Sequence, residues 1–283
     1  LLTASDEVIA ELARHQGSLS LKGLTSLSSL AAKALGRHQG GLVVGQLQQL
    51  YDSGWTGKIV KKRGGRLDHV THLSQTAAAT LAAYDGSLSL DGLVDPSEAM
   101  LRALMPHRHS LSLGSIRSLS PAVAVILADH KGLMLRLDGL RKIAPEAAAS
   151  LACYPGSLSF GGLDALSTEA AAALSSHGLG LSFPGLQEIS ADTAAALAPH
   201  RGMLYLDGLA SLPVDAATSL ARHDGVMLSF SHLAELSDEA AVALAAYGGV
   251  LSLTGLTTLS ERAALALADR PAKVVLTGLQ PKP

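Results

Sequence analysis

A short phrase of the form G-S-L-S-L-x-G-L recurs with little change along the whole 283-residue chain. This self-similarity limits the possible folds, because a fixed period of about 20–50 residues is typical of stacked-repeat architectures. The last apolar residue of the phrase is an anchor at twelve positions: Leu24, Leu47, Val70, Leu93, Ile116, Leu140, Leu163, Leu186, Leu209, Leu233, Leu256 and Leu279. The anchors are 23 residues apart, or 24 at two steps where one extra residue precedes the strands near Leu133 and Val226.

Each period contains a strand pattern followed by a helix pattern. Leu19-Ser20-Leu21 alternates apolar and polar residues, which predicts a strand with one buried face. Residues 237–245 have helical spacing and helix-favouring composition. We expect each helix to end at a glycine, such as Gly202 or Gly225, in the left-handed conformation. Serine stands at the predicted N-cap, where its hydroxyl can accept a backbone N–H, in nine periods: Ser5, Ser28, Ser74, Ser97, Ser120, Ser167, Ser190, Ser237 and Ser260.

A unit of 23 residues cannot bury its own apolar faces, so neighbouring units must stack on one another. The repeat therefore predicts a right-handed α/β solenoid of about twelve repeats, with a parallel sheet on one side and helices on the other. Strands repeat at only ~4.8 Å, whereas helices need ~8–10 Å, so we expect a concave sheet and convex helices, as in a horseshoe. We expect residues 1–283 to form a single repeat domain.

The L-x-L-x-G-L-x-x-L core, with a helix closing each period, resembles the leucine-rich repeat superfamily over essentially the whole chain. The likeness is greatest to the alanine-rich members predicted in bacteria, and it implies a binding module. The chain departs from the usual pattern, which places Asn or Cys before the next Leu. A side-chain ladder of Asn is therefore missing, and the turn must satisfy its backbone in another way. Glycine stands there instead, at Gly23, Gly92, Gly139, Gly162, Gly185, Gly208, Gly255 and Gly278.

Composition excludes several classes of protein. Hydrophobic residues make up 48% of the chain and charged residues only 16%, which excludes a disordered chain. The formal net charge is −2 and no run of 18 apolar residues occurs, so neither a general polyanion binder nor a membrane span is expected. The single cysteine, Cys153, excludes an internal disulfide framework. Because the first residue is Leu, we expect the chain to be a fragment of a longer protein, whose compartment the sequence leaves open.

No enzyme motif was found: the chain has no G-x-S-x-G, P-loop, H-E-x-x-H or dinucleotide-binding fingerprint. Histidine nevertheless recurs at one register position, with tyrosine as its substitute. The members are His15, His38, His107, His130, His177, His200 and His223, with Tyr84, Tyr154 and Tyr247. A metal ladder would need nitrogens ~2.0–2.1 Å from one ion, but successive helices lie ~8–10 Å apart. The pattern therefore favours a flat, polar-tipped group that packs at a helix C-terminus and can hydrogen-bond carbonyls.

A second possible ligand set is Asp68, His69 and His72, beside one strand–turn junction. Three ligands converging from one turn is geometrically demanding, so we expect no metal here and no cofactor elsewhere.

Residues 51–66 break the repeat. Gly54, Trp55 and Gly57 replace alanines, and Lys58 replaces a leucine, so we expect this helix to be lost or distorted. Basic side chains cluster beside the only tryptophan, and they could engage an acidic partner or phosphates. A degenerate repeat whose charges are merely solvated is the alternative. The candidate residues of this basic segment are Trp55, Lys58, Lys61, Lys62 and Arg63.

The concave face is formed by the outward residues of each strand, most of which are serine, glycine or another small residue. Such a face lacks the clustered Trp, Tyr and Arg that anchor tight interfaces. Phe160, Phe183 and Phe230 share the inward column and are expected in the core. The larger or charged exceptions on the face are the candidate binding residues: Arg66, Asp68, Asp91, Arg136, Asp138, Tyr205 and Asp207.

These observations favour a non-catalytic recognition module that binds a protein through its concave face or its basic segment. Nucleic acid is not an expected partner. The alternative is an assembly element that self-associates through its solenoid ends, because neither Leu1-Leu2 nor Leu276-Thr277-Gly278-Leu279 has the polar character of a capping repeat.

Overall fold

A computed structural model describes residues 5–39, 42–44, 48–51, 53–63, 65–270 and 272–277. Helices and short strands alternate through this part of the chain, except that two strands separate the second helix from the third. The helices are α1 (Asp6–Ala13), α2 (Ser29–Gly36), α3 (Ser53–Arg63), α4 (Gln75–Ala82), α5 (Glu98–Leu104), α6 (Pro121–Ala128), α7 (Pro145–Leu151), α8 (Thr168–Leu174), α9 (Ala191–Leu197), α10 (Val214–Leu220), α11 (Asp238–Ala245) and α12 (Glu261–Ala268). The strands are β1 (Leu19–Leu21), β2 (Leu42–Val44), β3 (Gln49–Leu50), β4 (His72–Leu73), β5 (Leu88–Ser89), β6 (Leu111–Ser112), β7 (Met134–Arg136), β8 (Ser157–Ser159), β9 (Leu181–Ser182), β10 (Met203–Tyr205), β11 (Met227–Ser229), β12 (Val250–Ser252) and β13 (Val274–Val275).

The chain divides into two compact units, the first of Leu1–Ile116 with His130–Leu133 and the second of Arg117–Asp129 with Met134–Pro283. In the first unit β1 pairs with β2, β3 with β4 and β5 with β6, all in parallel, and each of the helices α1 to α4 packs against the next. In the second unit each strand from β7 to β12 pairs in parallel with the next. Each helix from α6 to α11 likewise packs against its successor.

Strand register in the second unit follows the period of the sequence. Leu204 lies opposite Leu181 on one side and Leu228 on the other, so equivalent residues stay paired across the 24-residue step. The inserted residue before β11, Val226, is 63% exposed, and so the extra length is absorbed outside the sheet. The predicted leucine-rich-repeat α/β solenoid is confirmed by this arrangement.

Serine caps begin most of the helices, as predicted. All nine predicted N-cap serines accept a backbone N–H from the first helical turn, at 3.0–3.5 Å. Helices α7 and α10 instead begin after Ala144 and Pro213, which make no side-chain cap bond. Replacing such a cap by alanine typically costs ~1 kcal/mol, so the caps set where each helix begins.

The core lies between the strands and helices of each repeat. Phe160, Phe183 and Phe230 are fully buried in the inward column, as predicted, and the first two rings stack with centroids 5.7 Å apart. On the helix side, small buried residues such as Ala170 and Ala216 occupy the surface between neighbouring helices. Their size lets helices pack closely while leucines fill the space towards the strands.

The expected role of the helix-ending glycines was wrong. Among the described residues the only positive φ belongs to Gly65, at 81°, and the residues that cap the helices have ordinary right-handed geometry. Gly202 and Gly225 are required because of crowding. A Cβ on Gly202 would lie 1.8 Å from the Leu179 carbonyl oxygen, and one on Gly225 would lie 2.4 Å from Nε2 of His223.

The glycines that replace Asn in the strand–turn phrase are explained by a second close approach. A Cβ on Gly162 would lie 2.3 Å from the carbonyl oxygen of Asp138 in the preceding repeat. One on Gly185 would lie 2.2 Å from that of Gly161. At these glycines the turns of neighbouring repeats therefore stack backbone against backbone. Ser115 and His232 stand at the same register position in two other repeats, where their side chains hydrogen-bond to the carbonyl oxygens of Asp91 and Asp207 in the preceding repeat.

Within residues 51–66 the helix is not lost, because α3 is present; at 11 residues it is longer than the other described helices, which have 7 or 8. Lys58 is exposed although it stands at the register of a buried leucine. The helix presents a different set of residues to the interior, so an apolar face is kept without the usual alanines. Among the α3 side chains that the structure describes, the buried ones are Thr56, Ile59 and Val60.

No helix within the described residues is long and apolar enough to span a membrane. Leu1, Leu2, Gly278 and Leu279, on which the prediction of end-to-end association depends, lie outside the described part of the chain.

Close stacking of the turns gives a direct test. We expect Gly208→Ala to destabilise the protein by about 2–3 kcal/mol, since its Cβ would lie 2.4 Å from the Pro184 carbonyl oxygen and neither backbone can yield easily. The matched control is Gly248→Ala, whose Cβ would meet no atom within 4 Å and should leave stability nearly unchanged. Urea unfolding followed by circular dichroism measures both, and equal transition midpoints would contradict the explanation by crowding.

Candidate binding surface

We define the strand face as the outward residues one and three positions after the first inward residue of each repeat's strand segment, which is a leucine in most repeats and Gly65 in the repeat of Arg66 and Asp68. Its serines are more enclosed than the sequence suggested. Ser159, Ser229 and Ser252 are only 5%, 4% and 6% exposed. The surface that a partner would meet is therefore formed largely by the aspartates and by the few larger side chains between them.

Three candidate binding aspartates, Asp91, Asp138 and Asp207, link one repeat to the next. Each carboxylate accepts a hydrogen bond from the serine hydroxyl and from a backbone N–H of the following repeat. The bonds run from Ser112 Oγ and the Gly114 N–H to Asp91 (2.6 and 2.6 Å), from Ser159 Oγ and the Gly161 N–H to Asp138 (2.7 and 2.7 Å), and from Ser229 Oγ and the Ser231 N–H to Asp207 (2.7 and 2.9 Å).

These bonds supply part of the hydrogen bonding between neighbouring repeats that the missing Asn ladder would have provided. A carboxylate that accepts a backbone N–H satisfies a donor that the sheet leaves unpaired, and such charge-assisted bonds are stronger than neutral ones. They also require a small residue in the next repeat, because a Cβ on Gly114 would lie 2.8 Å from Asp91 Oδ1. The sequence placed these aspartates on the correct face but gave no sign that their oxygens are used internally.

Two arginines extend from the strand face. Arg66 is exposed and its backbone bridges Ser89 in the next repeat, whose hydroxyl donates to Asp68. The Arg136 side chain is 52% exposed, and its Nε donates to Asp138 Oδ2 at 3.0 Å. An exposed ion pair of this kind stabilises a protein by only ~0.2–1 kcal/mol, so its main effect is to orient the guanidinium.

Apolar side chains lie on the strands beside Tyr205. Its hydroxyl donates to the sulfur of Met203 at 3.2 Å, and Met203 lies opposite Met227 on the next strand, which in turn lies opposite Val250. All four side chains are partly exposed. Sequence reasoning found Tyr205 but missed the other three. The signal was available, because the residue before each inward leucine also points outward in a strand.

Within the basic segment, the structure describes the side chains of Lys58 and Lys61, which are both exposed. Lys58 Nζ donates to the backbone carbonyl of His38 at 3.2 Å, so one predicted binding residue also closes the end of α2. The backbones of Trp55, Lys62 and Arg63 lie in α3, but their side chains lie outside the described part of the structure.

Most of the histidine and tyrosine column is buried between the helix end and the following strand; His15 is exposed and Tyr84 is half-buried. In the first unit His107 stacks on His130 with ring centroids 5.9 Å apart. In the second unit the rings of His177 and His200 are 6.2 Å apart, and those of His200 and His223 are 5.7 Å apart. His177 Nδ1 lies 3.3 Å from the carbonyl oxygen of Ala152 in the preceding repeat, as predicted for a group that hydrogen-bonds helix-end carbonyls.

Burial keeps these imidazoles neutral. Loss of hydration is the largest cause that lowers the pKa of His107 to about 4, and the nearby His130 and His109 lower it further. Burial also lowers the pKa of His177, His200 and His223, against a smaller opposing effect of nearby backbone carbonyls.

The residues of the possible metal set do not converge. Asp68 accepts a hydrogen bond from Ser89, whereas Nδ1 of His72 lies 2.9 Å from the hydroxyl of Thr71. Over the part of the chain that the structure describes, no group of three or more His, Cys, Asp or Glu side chains could hold a metal ion.

The geometry defines a leucine-rich-repeat α/β solenoid with a polar strand face. No protein-family model matches the sequence, and the comparison with curated proteins gives no match. Solved structures of other proteins are similar to the chain. A leucine-rich repeat protein of Leptospira interrogans is 16% identical with a TM-score of 0.38, over 99% of this chain and 83% of that one.

Two further solved structures are similar to the chain. An internalin of Listeria monocytogenes is 14% identical with a TM-score of 0.42, over 95% of this chain and 88% of that one. A chain of the Toll–Spatzle complex of Drosophila is 11% identical with a TM-score of 0.46, over 98% of this chain and 47% of that one.

The aspartate links give a second prediction. We expect Asp207→Ala to lower the free energy of unfolding by about 2 kcal/mol, because it removes bonds to a charged acceptor and leaves the Ser231 N–H without this acceptor. Asp207→Asn should lose less, since an amide oxygen can still accept. Asp164→Ala, an exposed carboxylate of the same unit, serves as the control and should change stability by less than ~0.5 kcal/mol. If both alanine variants unfold at the same urea concentration, the links do not contribute to stability.

Proposed function

We propose that residues 1–283 act as a non-catalytic recognition module that binds a protein partner through the strand face. The observation that carries the proposal is the set of aspartate links between successive repeats. Each link fixes outward side chains of one repeat to the backbone of the next. A surface held in this way is ordered before binding, so association loses less conformational entropy.

The composition of the strand face favours a protein over a small ligand. In each unit serine, glycine and aspartate form a low, polar layer; Arg66 extends above it in the first unit, and Arg136 and Tyr205 extend above it in the second. Arginine and tyrosine are among the residues that dominate binding energy in protein interfaces. The neighbouring Met203 and Met227 add flexible, polarisable side chains that adapt to the shape of a partner.

The aspartates themselves are assigned to the scaffold. Asp207 Oδ1 accepts from the Ser229 hydroxyl and from both the backbone and the hydroxyl of Ser231. A general base or a nucleophile needs an oxygen directed at the substrate. We therefore propose that these carboxylates shape the face and do not perform chemistry.

The basic segment is the alternative surface for the same function. Lys61 is exposed on α3, and Lys58 is exposed while hydrogen-bonded to the end of α2. An acidic protein would be the fitting partner, because opposite charges accelerate encounter and suppress wrong partners.

A comparison of three variants separates these surfaces. The strand-face variant is Arg66→Ala, Arg136→Ala and Tyr205→Ala; the basic-segment variant is Lys61→Ser, Lys62→Ser and Arg63→Ser. The immobilised chain is first incubated with an extract of the cells that produce it, and the proteins it retains are identified by mass spectrometry. Each retained protein is then purified, and its affinity for the wild-type chain and for each variant is measured by titration calorimetry. We expect the strand-face variant to weaken binding about 100-fold, as loss of a few anchoring side chains does at other interfaces.

The matched control removes three exposed arginines from the helices and their ends: Arg14→Ala, Arg102→Ala and Arg262→Ala. It should change affinity by less than threefold. If only the basic-segment variant loses affinity, the interface lies on α3. If all variants, including the control, lose affinity equally, both assignments are refuted.

A further inference from the structure

Three histidines in consecutive repeats of the second unit form a continuous buried stack. His177, His200 and His223 are 1%, 0% and 5% exposed, and their rings are nearly parallel or moderately tilted, with interplanar angles of 6° and 26°. Tyr247 continues the stack at 5.8 Å, and the guanidinium of Arg270 lies 5.7 Å from the Tyr247 ring centroid. The Arg270 side chain also donates to the Tyr247 carbonyl oxygen at 2.6 Å.

Tyrosine fulfils the structural role of this column as well as histidine does. The Tyr247 hydroxyl donates to the Gly225 carbonyl oxygen at 2.8 Å. In the same way, Nδ1 of His177 lies within hydrogen-bond distance of the Ala152 carbonyl oxygen. Tyr154 is buried to the same degree, at 2% exposure. Packing and carbonyl contacts therefore do not require a group that titrates near neutral pH, and histidine brings the additional capacity to become a cation.

The surroundings of the stack do not compensate several positive charges. Asp224 is the anion whose charge favours protonated His223, and it is exposed to solvent. Arg270 is a fixed cation at one end, Tyr154 and Tyr247 are neutral, and Arg201 and Arg222 lie exposed beside the column. Backbone carbonyls near His200 can stabilise one proton, but like charges on adjacent rings about 6 Å apart repel one another.

The stack is connected to the strand face through the following glycines. Nε2 of His200 lies 2.8 Å from where a Cβ of Gly202 would stand, and β10 begins at the next residue. The same relation holds between His223 and Gly225, just ahead of β11. The His200 ring therefore lies directly against the residue that precedes the strand carrying Tyr205.

We propose that this histidine stack is an acid-sensitive latch, which opens the repeats around β9 to β11 as the pH falls from about 7 to 5. Opening exposes the rings to water, where they bind protons freely. If the strand face is the recognition surface proposed above, the same transition releases its partner in mild acid. The opening itself does not depend on that proposal.

The direction in which stability changes with pH follows from the protonation states of the folded and opened chain. The folded rings are neutral, with lowered pKa values, whereas in the opened chain histidine titrates near 6.5. Above that pH both states are neutral and the stabilisation is complete. Below it the opened state binds more protons, so stability falls until the folded pKa is reached. At pH 5 each histidine that stays neutral when folded multiplies the opening equilibrium constant by about 30.

Hydrogen exchange measured by mass spectrometry at pH 7.5 and 5.0, corrected for intrinsic rates, tests the latch. We expect amides of β9 to β11 to lose protection at least 100-fold at pH 5.0 in the wild-type chain. The triple variant combines His177→Tyr, His200→Tyr and His223→Tyr. In this variant the protection of the same amides should differ by less than about fivefold between pH 7.5 and pH 5.0. The matched control is His15→Tyr, which changes the same register position where the ring is exposed, and it should leave the acid response of β9 to β11 intact.

A second measurement keeps the proposal testable if the triple variant does not fold. Nuclear magnetic resonance titration of the ring protons of the wild-type chain should show His177, His200 and His223 remaining neutral until the strands open. Rings that titrate near pH 6.5 while β9 to β11 stay protected would overturn the latch. So would an acid response of the folded triple variant equal to that of the wild type.

Discussion

Close approach of backbone to backbone between consecutive repeats is the constraint on which the structure depends. A methyl group on Gly162, Gly185 or Gly208 would lie 2.2–2.4 Å from a carbonyl oxygen of the preceding repeat. Interiors packed at crystal-like density cannot absorb such overlaps. The glycines, the alanines between helices and the short serine side chains on the strands all keep neighbouring repeats close, and within each unit the leucine core is continuous because of that closeness.

Close stacking also creates polar groups that need partners, and aspartate supplies several of them. Asp91, Asp138 and Asp207 each reach one repeat further along and accept a backbone N–H there. These contacts join hydrogen bonding in the turn to the shape of the strand face, because the same carboxylates hold the serines beside them. Stability and surface geometry are therefore two results of one set of interactions, and a face built in this way is fixed before any partner arrives.

Sequence reasoning succeeded where the controlling interactions lie within one repeat. The nine serine caps and the inward leucines follow from periodicities of three to four and of two residues, which one unit displays fully. It failed where the interaction is with the next repeat. The sequence cannot distinguish a glycine needed for a left-handed φ from a glycine needed because a side chain would not fit. The backbone shows that Gly202 and Gly225 are needed because a side chain would not fit. In α3 the loss of the helix was expected because the usual alanines are missing. Thr56, Ile59 and Val60 are nevertheless spaced so that they form another buried face of a helix. The use of Asp207 as an internal acceptor likewise appears only when two repeats are placed side by side.

The choice between histidine and tyrosine in the buried column shows how a repeat protein can vary its response without varying its fold. Both residues fill the space between helix end and strand, and both reach a carbonyl of the preceding repeat. A tyrosine with its pKa raised by burial to about 12, as at Tyr247, stays neutral throughout the physiological range. In mild acid a buried histidine is neutral only while the chain remains folded around it. Three adjacent histidines therefore couple the stability of the strands beside them to pH, and the number of histidines in a row sets how steep that coupling is.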